Sequence, residues 1–127
     1  RQARLLGTYA PEGAPALSVR VHPGWTSVYM AAPVASPLFL RCLCRLAGLH
    51  VYLDTDDAVY ASRDLVGIHT AKAGEKTIRL PEKATVTDLL TGKVVAKDAD
   101  RFTVTMPARA TGIWRLDRGA AGRRPNG

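Results

Sequence analysis

The pattern of apolar and polar positions predicts a β-hairpin near the start of the chain. Residues 16–22 alternate apolar and polar side chains, as a half-buried strand does, and residues 25–31 form a second run of strand type. The turn sequence His22-Pro23-Gly24 separates them. Residues 3–9 predict a further short strand before this hairpin.

The clearest helix signal lies at residues 36–47. Ser36 and Pro37 suit the N-cap and the first helical position, and Gly48 follows the last turn. At helical spacing the apolar face is formed by Leu38, Phe39, Cys42, Leu43, Leu46 and Ala47, and the opposite face by Arg41 and Arg45. A strand predicted at residues 49–53 would complete an α/β crossover.

From residue 57 onward the apolar period changes to two, which is typical of strands. Seven short strands are predicted, at residues 58–61, 65–71, 75–80, 84–89, 93–96, 101–106 and 111–116. The predicted fold class is therefore α+β and mainly β: an antiparallel β-sandwich of about seven strands, preceded by a β-hairpin and one amphipathic helix.

This reading divides the chain into three parts. Residues 1–53 form a partial α/β segment, residues 54–116 form the β-sandwich module, and residues 117–127 are predicted to be a disordered tail because alanine is their only apolar residue type. At 127 residues, one hydrophobic core is expected.

Charge and cysteine content exclude some classes of partner. The net charge is +7, but part of it lies in the tail and the other basic residues alternate with acidic ones, so nucleic acid is not the expected partner. No run of residues has the roughly 20 apolar side chains of a membrane span. Cys42 and Cys44, two apart on the predicted helix, are poorly placed for a disulfide, so free thiols and a cytoplasmic location are expected.

Five stretches together carry a resemblance to a known family. They are PGWTSVYMAAP (23–33), LAGLHVYLDTDDAVYASRDLVGIHT (46–70), EKTIRLP (75–81), TVTDLLTG (85–92) and FTVTMPARATGIWRL (102–116). In this order, with the helix after the first, they resemble the C-terminal region of bacterial glycoside hydrolases of the β-galactosidase-like kind. Residues 16–53 resemble the end of the flavodoxin-like trimerisation domain of that family, and residues 57–116 resemble its small C-terminal β-sandwich.

The resemblance implies an accessory or oligomerisation region rather than a catalytic one. The two catalytic carboxylates of the family lie in a TIM barrel that no part of this chain resembles, so their roles pass to no residue here. The chain is expected to be a fragment of a longer protein. A partial α/β segment leaves a sheet edge and an apolar helix face uncovered, which favours a homo-oligomer.

The acidic segment Asp54, Asp56 and Asp57 is the strongest local chemical signal. In an extended strand the Cα atoms of Asp54 and Asp56 would lie about 6.5–7 Å apart on one side, which permits the paired carboxylates of a glycosidase. His50 and His69 flank the segment and could act as general acid or base. A calcium site and a simple polar turn are the alternatives, and the glycine and distal glutamate of an EF-hand loop are absent.

Aromatic side chains provide a second type of candidate site. Trp25 and Tyr52 could form a platform on which a sugar ring stacks. No metal site and no cofactor are expected, and no phosphate-binding glycine loop is present. The serines lie in no G-x-S-x-G motif, so a hydrolase triad is not expected either. Two rivals to the accessory role therefore remain: a small stand-alone glycosidase that uses the aspartates, and a carbohydrate-binding module that uses the aromatic residues.

Overall fold

The computed structural model describes residues 2–33 and 36–119, which form one short helix and two antiparallel sheets. The elements are β1 (Arg4–Thr8), β2 (Pro15–His22), β3 (Trp25–Met30), α1 (Pro37–Leu46), β4 (Ala58–Ala61), β5 (Leu65–His69), β6 (Gly74–Asp88), β7 (Val94–Met106) and β8 (Thr111–Asp117). The mainly β class predicted from the sequence is confirmed.

The chain divides into two compact units, Arg1–Ser36 and Pro37–Gly127. The first contains the three-stranded sheet, in the order β1-β2-β3, and no described residue of it is buried. The second contains α1 and the five-stranded sheet, in the order β4-β5-β8-β6-β7. The helix therefore belongs with the second sheet, whereas the predicted boundary lay between residues 53 and 54.

The hydrophobic core lies entirely in the second unit. β6 and β7 are long strands. The half of β6 around Ile78 and the half of β7 around Phe102 pack over β5 and β8. There the ring centroids of Phe102 and Trp114 lie 5.2 Å apart, in an edge-on arrangement. The buried apolar residues are Leu53, Val66, Ile68, Ile78, Leu80, Ala84, Val86, Phe102, Met106, Trp114 and Leu116. A sheet folded over itself in this way gives the sandwich-like core that period-two patterning predicts.

The number of strands in this sheet is five rather than about seven. The strands predicted at residues 75–80 and 84–89 are one strand, β6, and those predicted at 93–96 and 101–106 are likewise one strand, β7. Pro81 falls inside an irregular section of β6, between the pairs Arg79–Arg101 and Ala84–Ala99. Its missing N–H is tolerated there because the extra residues of a bulge make no ladder hydrogen bonds.

Helix α1 was predicted correctly, but the strand expected at residues 49–53 is not formed. That segment is connected to β6 by a backbone hydrogen bond from Arg79 N to Tyr52 O, and it joins no sheet. The α/β crossover is therefore wrong, because one such bond does not make a ladder. No helix in the described ranges is long and apolar enough to cross a membrane. The tail predicted to be disordered lies mostly outside the described residues, and β8 ends at Asp117.

Candidate functional site

The candidate site is the segment Asp54–Asp57, which connects the extended chain after α1 to β4. Its residues line a cleft of about 420 Å³, together with side chains from α1 and from the start of β6. All three aspartates of the segment line this cleft. Each one is paired with a cation from another part of the unit.

Asp57 forms a buried ion pair with Lys76 of β6. Asp57 Oδ2 lies 2.7 Å from Lys76 Nζ, and the two side chains are only 2% and 6% exposed. Asp57 also accepts hydrogen bonds from Thr55 Oγ1 at 2.6 Å and from the backbone N–H of Ala71 at 2.7 Å. Burial acts to raise the pKa of Asp57, but the hydrogen bonds from Lys76, Thr55 and Ala71 outweigh it, so the pKa lies below its ordinary 3.8.

Asp54 is held by two arginines. Its carboxylate accepts hydrogen bonds from Arg79 of β6 and from Arg45 at the end of α1, while about half of its surface stays exposed. The hydrogen bond from Arg79 is the main cause of the lowered pKa of Asp54; desolvation opposes this shift, and Arg45 adds to it. This carboxylate therefore links the helix to the sheet.

Asp56 is the most exposed of the three aspartates. Its Oδ1 lies 2.8 Å from Arg41 Nη1, and the carboxylate side chain is 66% exposed. The same guanidinium nitrogen donates to the backbone carbonyl of Thr55 at 3.1 Å. Arg41 thus fixes the helix to the backbone of the acidic segment as well as to a side chain.

These ion pairs set the orientation of α1. Arg41 and Arg45 reach toward the acidic segment, and Leu40, Arg41 and Cys44 line a second cavity of about 340 Å³ with residues of the sheet unit. No residue of the helix is buried, and Leu38 and Leu46 are each 62% exposed. The arginine side of α1 therefore faces the sheet, and much of the predicted apolar face is open.

The two histidines do not line the cleft formed by the aspartates. His50 Nε2 donates to the backbone carbonyl of Arg79 at 2.9 Å and lines the second cavity instead. His69 Nδ1 forms a 2.9 Å hydrogen bond with Thr111 Oγ1 across the β5–β8 pair. Both rings are thus held by contacts within the unit, and neither bonds to an aspartate in these interactions.

The two predicted platform residues lie in different units. Tyr52 is half-buried against the core, and its ring meets that of His50 edge-on at 4.6 Å. Trp25 lies at the start of β3 in the first unit and is 59% exposed. Tyr52 therefore acts mainly as a packing residue, and Trp25 keeps an open ring face.

The cations of the site were not identified from the sequence. Arg41 and Arg45 were placed on the polar face of the helix but not connected to the aspartates, and Lys76 and Arg79 were not considered. One signal was available: Lys76 alternates with the buried Ile78 and Leu80, so its side chain had to enter the core face of β6. A lysine in that position requires a buried carboxylate.

Neither metal chemistry nor similarity to other proteins adds to this picture. Within residues 2–33 and 36–119, no group of three or more histidine, cysteine, aspartate or glutamate side chains is arranged to hold a metal ion. Comparison of the chain with protein-family models, curated proteins and solved structures found no match. The function is therefore inferred from the geometry and from the sequence resemblance.

Proposed function

We propose that this chain is a non-catalytic accessory region that associates with a second copy of itself, within a glycoside hydrolase that acts on β-galactoside-like carbohydrates. The observation that carries the proposal is the orientation of α1. Its arginines are used inside the unit, and its apolar side chains Leu38 and Leu46 are left exposed. An exposed apolar stripe on a helix is typical of an association surface.

The ion pairs favour a structural role for the aspartates. A glycosidase needs one carboxyl group whose pKa is raised so that it can donate a proton. The pKa values of Asp54 and Asp57 are both lowered, and Asp57 is enclosed by three hydrogen-bond donors. Both groups are thus fixed as anions: Asp54 links α1 to β6, and Asp57 holds the acidic segment against β6.

Self-association is supported by the geometry of the helix. Leu38, Cys42 and Leu46 are spaced four residues apart and all are exposed, so they form one line along α1. Two copies related by a two-fold axis could bury this line against itself, since a two-fold interface uses the same surface on both chains.

The connection to glycoside hydrolases rests on the resemblance of residues 16–53 and 57–116 to the end of such enzymes. Of the two matched regions, the mainly β second unit supports the proposal, whereas the antiparallel first sheet and the missing strand at residues 49–53 differ from a flavodoxin-like α/β end. Cys42 and Cys44 are free thiols, which suits the proposed cytoplasmic location.

Sedimentation velocity at micromolar concentration tests the association. The wild-type chain is expected to sediment as a dimer or larger species, and Leu46→Glu is expected to sediment as a monomer because it places a charge in the apolar line. Leu90→Glu is the matched control, since Leu90 is 71% exposed in the β6–β7 turn. A monomeric wild type, or equal dissociation by both variants, would contradict the proposal.

A further inference from the structure

The first unit carries an aromatic face that the proposed function does not use. We propose that the face of the β2–β3 hairpin bearing Trp25 and Tyr29 binds an oligosaccharide, whose rings stack on the two aromatic side chains. Trp25 is 59% exposed and Tyr29 is 61% exposed. This surface is formed by the first unit alone.

The hairpin turn fixes the position of Trp25. Pro23 and Gly24 fill the two central positions, and the positive φ of Gly24 (81°) suits the second of them in a type II turn. His22 and Trp25 therefore face each other across the hairpin, with ring centroids 3.9 Å apart and planes 2° from parallel. One face of the indole is thus supported by a side chain of the protein, which orders the ring without a ligand.

The strand register places Tyr29 on the same face. Directly paired residues of antiparallel strands point to the same side, and alternate residues along a strand do so too. The pairs on this face are Trp25 with His22, Ser27 with Arg20, and Tyr29 with Ser18. At the rise of a strand, Trp25 and Tyr29 are about 13 Å apart, a distance that requires a ligand of several linked rings.

The polar groups between the two rings suit a sugar. Ser27 Oγ donates to the backbone carbonyl of Arg20 at a long 3.5 Å, which leaves the hydroxyl oxygen able to accept from a ligand. The exposed Arg20 guanidinium supplies donors for sugar hydroxyls. Aromatic rings for the CH faces of a ligand, with hydrogen-bonding groups between them, match the chemistry of a pyranose chain.

The opposite face of the hairpin differs in composition. It carries the half-buried apolar residues Leu17, Val19, Val28 and Met30, and near the turn the exposed pair Val21 and Thr26. Protein interfaces are more apolar at their centre than at their rim, so the aliphatic face is the better candidate for contact with protein. The aromatic face, with its serines and arginine, is better suited to a polar ligand.

A nucleic acid is a poorer match than a sugar. Single-stranded nucleic acid also stacks on aromatic rings, but it requires a groove with several positive charges along the backbone. Arg20 is the one arginine or lysine among the three pairs that form this face in the described part of the hairpin. The choice of a carbohydrate also rests on the proposed function.

Titration of the full chain with galactotetraose, cellotetraose and chitotetraose tests the proposal. Binding is followed by calorimetry and by tryptophan emission, in which a change reports Trp25 because Trp114 is only 2% exposed. At least one of the three sugars should give saturable binding. Trp25→Ala and Tyr29→Ala should each weaken it, by about tenfold or more for Trp25, and Trp25→Phe should keep part of the affinity.

The matched control is Tyr60→Ala, because Tyr60 of β4 is 70% exposed and lies in the other unit. This variant should bind as the wild type does. No saturable signal with any of the three sugars, or unchanged affinity in both hairpin variants, would overturn the proposal. So would binding of a thymidine oligonucleotide, in place of sugar, that is lost in Trp25→Ala.

Sedimentation of the same variants separates this proposal from the proposed function. Trp25→Ala should remain associated, whereas Leu46→Glu should dissociate and still bind sugar. Dissociation of Trp25→Ala would assign the aromatic face to a protein interface and overturn the inference. Sugar binding by a monomeric wild type would support the inference while contradicting the association.

Discussion

Replacing Asp57 by asparagine leaves the almost fully buried ammonium group of Lys76 without its counter-charge. The two side chains are 2% and 6% exposed, so water cannot compensate fully for the lost anion. Removing one partner of a buried ion pair typically costs about 3–5 kcal/mol. Since small domains are stable by only about 5–15 kcal/mol, Asp57→Asn should remove a large part of the free energy of unfolding.

Urea unfolding followed by circular dichroism and tryptophan emission measures this loss. The midpoint of Asp57→Asn should fall by more than about 1 M urea relative to the wild type. Asp56→Asn is the matched control, because it makes the same chemical change one residue away in a pair whose carboxylate is 66% exposed. It should cost about 1 kcal/mol or less.

A second variant tests whether the unpaired charge of Lys76 is what lowers the stability of Asp57→Asn. In Asp57→Asn with Lys76→Met, no buried charge remains. The amide oxygen at position 57 can take the place of Oδ1 and accept from the Ala71 N–H, and the amide NH2 can then donate to Thr55 Oγ1. The double variant should therefore regain most of the stability. Equal midpoints for Asp57→Asn and Asp56→Asn, or a double variant no more stable than Asp57→Asn, would refute the buried-pair account.

Three further predictions concern other contacts in the same unit as well as the Asp57 pair. Acid should destabilise the wild type more steeply than Asp57→Asn, and an acid titration followed by circular dichroism measures the difference. The lowered pKa of Asp57 gives stability that is complete above the ordinary pKa of about 3.8, which applies to the unfolded chain. This stability is lost as the pH falls through the lower pKa of the folded state. Asp54→Asn should cost less than Asp57→Asn in urea, because the carboxylate of Asp54 is about half exposed. Gly112→Ala should lower the melting temperature, at a cost of about 1–3 kcal/mol in the free energy of unfolding. The new Cβ would lie 2.7 Å from Cζ2 of the Trp114 ring and closer still to Cη2. Gly67→Ala is the control, because the nearest atom to a Cβ at that position is 3.6 Å away.

Local signals in the sequence predicted the helix and the hairpin well. Ser36-Pro37 and Gly48 marked the limits of α1, and the alternation in residues 16–22 marked β2. The strand count failed at Pro81, because a proline can end a strand or sit in a bulge, and only the partner strand decides between these outcomes. The strand predicted at residues 49–53 failed for a similar reason, since an apolar run does not specify which strand it pairs with.

The site was predicted in part. The grouping of Asp54, Asp56 and Asp57 followed from their closeness in sequence, whereas their pairing with Lys76 and Arg79 depends on β6 returning about 20 residues later. The outward apolar face of α1 could not be predicted from its periodicity, because the period gives the two faces of a helix but not which one meets the sheet. Here the ion pairs to the arginines decide it.

The most direct test of whether the charged cluster is structural rather than catalytic is turnover of a panel of chromogenic aryl glycosides by the purified chain. The wild type should show no turnover above buffer, and Asp54→Asn and Asp56→Asn should not differ from it. The opposite result would be a wild-type specific activity that stays constant through purification and that falls by about a hundredfold or more in either folded variant. That result would assign a catalytic carboxylate and contradict the structural role.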